Sequence, residues 1–160
     1  MAVRVTQQRD QGVMTDNVKL ISMILLSVSL FFFILFFTAY SIIFSSTELG
    51  MSVSGNEIDD TDLFIYSVII SALTVAVVCM EFYHIRHRAL GMFKYAVIVA
   101  NAVFVGLTIQ QLSKGTTDLF ETDSGALRPL YTYSALATGF AGIGTLLAII
   151  HNFHGIMGLV

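Results

Sequence analysis

Four long apolar stretches separated by short polar ones set the pattern of this 160-residue chain. The first runs from Leu20 to Phe44 without a charge, the second from Leu63 to about Met80, the third from Tyr95 to about Leu112 and the fourth from Leu130 to Ile150. Each holds about 18–25 residues, the length at which a helix crosses the hydrocarbon of a bilayer. Barrel strands would need strict apolar–polar alternation over roughly ten residues, and no such segment occurs. The run Leu30-Phe31-Phe32-Phe33-Ile34-Leu35-Phe36-Phe37 is apolar on every face, which suits lipid contact better than an amphipathic surface helix. At about 25 apolar residues the first stretch also exceeds the usual 7–15 of a cleaved leader, so it is expected to be a retained helix. The pattern therefore predicts an all-α integral membrane protein with four transmembrane helices, over about 20–44, 63–84, 95–112 and 130–151.

Composition agrees. Apolar residues make up 56% of the chain and charged ones 12%, with a mean hydropathy of +0.80. Soluble domains carry about 25% charged residues. With a net charge of −3 and only 8 Lys and Arg, no nucleic-acid surface is expected. The single cysteine, Cys79, excludes an internal disulfide and any paired-cysteine metal motif.

Charge in the flanks predicts an orientation. Segment 1–19 carries Arg4, Arg9 and Lys19, and the turn after the second stretch carries Arg86, Arg88 and Lys94. The loop from Ser45 to Asp62 has no Lys or Arg but holds Glu48, Glu57, Asp59, Asp60 and Asp62; the loop from Ser113 to Pro129 adds only Lys114 and Arg128 to Asp118, Glu121 and Asp123. Basic flanks stay on the cytoplasmic side. Both termini are thus expected inside and both acidic loops outside.

An internal repeat is also visible. At an offset of 67 residues, Leu63, Tyr66, Ser67, His84, His87 and Gly91 fall on Leu130, Tyr133, Ser134, His151, His154 and Gly158. The four histidines of the chain pair at this one offset. The chain then divides into a cytoplasmic segment (1–19) and two tandem helical hairpins (20–91 and 92–160). A two-helix repeat keeps its orientation, so the copies would be related by a pseudo-twofold axis along the membrane normal.

Candidate chemistry gathers at the histidines. His84 and His151 would sit near the edge of the hydrocarbon, with His87 and His154 one turn farther out. Facing helices could offer His84 and His151 as axial ligands to a b-type haem, with Arg86 and Arg88 near its propionates. The four imidazoles could instead hold a transition metal or sense pH. The plainer alternative is that imidazole suits a membrane interface and a helix C-terminus. Glu81 precedes His84 by three residues, but its equivalent in the fourth stretch is Ala148, so the ligand count of a di-iron bundle is not met. Glu81 is expected near Arg86 or Lys94, or behind a histidine as a hydrogen-bond partner fixing its tautomer. Asn101 is expected to hydrogen-bond across the bundle, and Gly139, Gly142 and Gly144 to allow close helix packing. Cys79 and Met80 offer conceivable copper ligands, although a lone thiol in a helix is usually packing.

No nucleophile–base set, phosphate loop or pair of intramembrane carboxylates can be assembled. The expected function is accordingly non-catalytic: a structural or assembly subunit of a larger membrane complex, oligomer or envelope, whose partners are the bilayer and other subunits or copies of itself. The alternative is a bis-histidine haem b subunit that passes electrons.

Overall fold

The computed structural model describes residues 2–45, 60–82, 88–121 and 128–153, and the side chains of 16–42, 62–82, 92–113 and 128–153. It is all-helical: α1 Ala2–Ser45, α2 Asp60–Phe82, α3 Arg88–Glu121 and α4 Arg128–His151. Each contains a segment long and apolar enough to cross a membrane, within Asp16–Ile42, Asp62–Phe82, Met92–Ser113 and Arg128–His151.

Two helices outrun their apolar cores. α1 begins 18 residues before Leu20, and α3 covers Arg88–Glu121 rather than 95–112. Apolarity marks what lipid would cover and sets no limit on the backbone hydrogen bonding of a helix, which continues here into polar sequence on both helices. Arg88 and Lys94, expected in a turn, are therefore helical. α4 starts close to its expected bound, with Pro129 in the first turn, where a missing N–H costs nothing.

The helices form a four-membered ring, α1 against α2, α2 against α3, α3 against α4 and α4 back against α1, with α2 and α4 meeting across one diagonal. Buried positions alternate in steps of three and four: Ser22, Leu26, Ser29, Phe33 and Phe36 on α1, and Leu63, Ser67, Ile70, Thr74, Val77 and Glu81 on α2. That is a seven-residue repeat, the period at which helices keep one seam turned to a partner. The core falls into three apolar layers. Leu26, Val77, Val97, Ile98 and Ala148 lie toward the Glu81 end, Phe33, Ile70, Val105, Ala137 and Ala141 in the middle, and Phe36, Leu63, Leu112, Leu130 and Tyr131 toward the Asp62 end.

α1 and α4 approach most closely. A Cβ on Gly144 would lie 2.8 Å from Leu26 Cγ and 3.2 Å from the Leu26 backbone nitrogen. Backbones so near can exchange side-chain hydrogen bonds: Ser22 Oγ donates to the Gly144 carbonyl and Ser29 Oγ to the Ala137 carbonyl, each at 2.8 Å. Close packing thus holds for Gly144, and for Gly142 against Val105. It does not hold for Gly139, which faces outward with nothing within 4 Å of its Cβ position.

Candidate functional site

Glu81 is the most strongly engaged polar residue among those described. It lies in the last turn of α2 and is 4% exposed. Lys94 of α3 places its ammonium 2.9 Å from Oε1, and Lys19 of α1 lies 3.8 Å from Oε2. Asn152, just past α4, donates from Nδ2 to Oε1 at 2.8 Å and to the Ala148 carbonyl at 2.8 Å. One carboxylate therefore joins α1, α2 and α3 to the C-terminal end of α4. A buried charge is tolerated only when paired and hydrogen-bonded, and Glu81 is both.

One layer farther in, Asn101 is fully buried on α3. Its Nδ2 donates to Thr145 Oγ1 at 3.0 Å and to Thr74 Oγ1 at 3.4 Å, tying α3 to α4 and α2. The expected bond across the bundle is present.

The two layers share one spacing. Glu81 and Thr74 on α2, Lys94 and Asn101 on α3, and Asn152 and Thr145 on α4 are each seven residues apart. Seven residues farther lie Ser67, Thr108 and Thr138, all buried. Polar layers thus alternate with apolar ones through the α2–α3–α4 side of the bundle. At the far end Gln111 Nε2 donates to Asp62 Oδ2 at 3.4 Å.

Of the expected ligands, His151 closes α4, half-buried, with a Nδ1 that meets no hydrogen-bond partner in the protein. His84, Arg86, His87 and His154 lie outside the described residues, as does the side chain of Arg88. Among the described residues no three His, Cys, Asp or Glu side chains come close enough to hold a metal ion. Cys79 is exposed on the bundle surface, whereas Met80 packs against the apolar layer nearest Glu81. Of the two bases expected near Glu81, Lys94 meets it, and Arg86 lies outside the described residues. Sequence reasoning missed Lys19 and Asn152; the available signal was the seven-residue spacing of Asn152 from Thr145 and Thr138.

The arrangement can bind helix to helix through charge and amide contacts. The described residues hold no paired acid and base facing a cleft, and so no reaction can be derived from them. Comparison with protein-family models, curated proteins and solved structures finds none that matches this chain.

Proposed function

We propose that this protein is a non-catalytic integral membrane protein that serves as a structural or assembly subunit. One observation carries the reading: the bundle's polar side chains lie in layers within its interior, and its outer surface is apolar. Ser22, Ser29, Ser67, Thr74, Glu81, Asn101, Thr108, Ser134, Thr138, Thr145 and Asn152 are buried, while Phe31, Ile34, Ile143, Leu146 and Ile150 are each more than half exposed. A surface of that kind is stable against lipid or against other apolar helices, and not in water. Glu81, Lys94, Asn152, Asn101, Thr74 and Thr145 are engaged with one another across the helices, which supports a packing role over chemistry.

The Glu81 end faces the cytoplasm in this proposal, because the basic flanks lie there and the acidic loops lie at the other end. The tandem-hairpin repeat belongs to the same proposal. It is supported by burial: at the offset of 67, Leu63, Ser67, Ile70, Thr74, Val77 and Glu81 fall on Leu130, Ser134, Ala137, Ala141, Gly144 and Ala148, buried in both helices. Both polar-for-small exchanges favour α4, and there α1 comes closest.

Mass measurement in bilayer nanodiscs after mild extraction tests the role. The expected result is a particle holding several copies of the 17.6 kDa chain, or the chain with fixed partner subunits. A single chain alone in lipid overturns it.

A further inference from the structure

Three charges meet at the Glu81 end, and they do not cancel. Lys94 neutralises Glu81 from 2.9 Å at Oε1, and Asn152 donates to the same oxygen at 2.8 Å. Lys19 approaches only Oε2, at 3.8 Å, which is beyond hydrogen-bonding distance. Two ammonium groups therefore face one carboxylate. The unit of positive charge left over resides on Lys19, the looser of the two, whose side chain is 26% exposed.

The neighbouring charges do not offset it. Asp16 stands three residues earlier on α1, exposed, and among the described residues the ion pair of Lys19 is with Glu81. The sequence between Phe82 and Lys94 adds Arg86 and Arg88 and no acid.

The place of the surplus charge selects its partner. Lys19 immediately precedes the uncharged stretch that begins at Leu20, and Glu81 is followed by Phe82, the last residue of its span. Leu20, Phe82, Met92 and Phe93, beside the three charged residues in sequence, are each more than half exposed. An ammonium flanked by outward apolar side chains at the end of a span lies where hydrocarbon gives way to lipid phosphate, and a lysine stem on apolar surface carries its head to that level. A partly withdrawn cation without a counter-charge of its own is costly there. An anionic phospholipid brings one net negative charge, whereas phosphatidylcholine neutralises its own phosphate.

We propose that Lys19, held beside the already neutral Glu81–Lys94 pair, is a binding site for the phosphate of an anionic phospholipid in the leaflet at the Glu81 end, with Leu20 and Phe82 against its acyl chains. The site rests on the reading that the chain spans a membrane, and not on its being a subunit.

Native mass spectrometry of the protein released from nanodiscs of equal phosphatidylglycerol and phosphatidylcholine tests it. Phosphatidylglycerol is expected to stay bound about fivefold more often than phosphatidylcholine, the ratio that one lysine at a membrane surface carries. Lys19→Met is expected to abolish the preference, with Lys19→Gln in its place if that variant does not fold. Arg4→Gln, the same loss of charge near the start of α1, is expected to leave it unchanged. Equal retention of the two lipids by the unaltered protein, or equal losses in the Lys19 and Arg4 variants, overturns the proposal. So does displacement of phosphatidylglycerol by inorganic phosphate but not by chloride of equal ionic strength, which would mark a site for soluble anions. The number of chains per particle tests the subunit role separately, and a chain that does not enter the nanodiscs overturns both readings.

Discussion

The Oγ of Ser22 and the carbonyl of Gly144 are 2.8 Å apart, although 122 residues separate them along the chain. The bond exists because Gly144 has no Cβ to hold Leu26 off, so the closeness of α1 and α4 rests on one missing methyl group. Gly144→Ala is expected to lose about 1–3 kcal/mol, the usual cost of overpacking. Gly139→Ala, made on the same helix where nothing lies within 4 Å, is expected to be neutral or slightly stabilising, since Ala favours helix. Reversible unfolding in mixed micelles compares the two; equal losses would remove the special role of position 144.

Breaking the Glu81 hub from its two sides should give unequal results. Glu81→Ala strands Lys94 and is expected to cost about 3–5 kcal/mol, the range for removing one partner of a buried pair. Replacing both residues with methionine should recover most of that loss. Lys19→Met should cost less than about 1 kcal/mol, because its ammonium is 3.8 Å away on a quarter-exposed side chain. A Lys19 effect as large as that of Glu81 would mean that Lys19, not Lys94, is the main counter-charge.

Asn152 is expected to matter through Glu81 rather than by itself. In a double-mutant cycle, Asn152→Leu and Glu81→Gln should show a coupling of about 0.5–3 kcal/mol, as residues sharing one network do. Asn101→Leu should be milder than its full burial suggests. Interhelical hydrogen bonds in membranes average about 0.6 kcal/mol, and the rest of its polar demand would disappear with it. Additive effects at 81 and 152 would disprove the shared network.

The packing reading expects purified protein without b-type bands in a reduced-minus-oxidised spectrum. A Soret and α band present in the parent and lost in both His84→Ala and His151→Ala would establish the haem alternative in its place.

Thiol labelling tests the orientation. With Cys79, which is exposed on the bundle surface, replaced by serine, single cysteines at Asp59 and Arg88 are expected to react from opposite sides of sealed vesicles. Labelling from one side would overturn the four-span topology.

The number of helices was legible in the chain because crossing distance and apolar run length are one quantity, so Leu20–Phe44 or Leu130–Ile150 could be read by length. Asn101 stood out for a similar reason, as an amide deep in an apolar run with nowhere to turn but inward. Which face of each helix is inside was not read, because a helix apolar on every side has almost no amphipathic signal. Ser67, Thr74 and Glu81, or Thr138, Thr145 and Asn152, carry their seven-residue spacing in plain sight, yet it becomes meaningful only when a neighbouring helix supplies partners at the same levels. Glu81 could be matched with Lys94 by proximity in sequence. Lys19 and Asn152 come from helices 62 and 71 residues away, and only the register of packed helices decides such a meeting. Gly139 and Gly144 look alike as letters; the ring of helices turned one toward Leu26 and the other outward. Apolar length is a property of each segment alone, whereas polar pairing is a property of two surfaces, and only the assembled bundle brings the second surface into place.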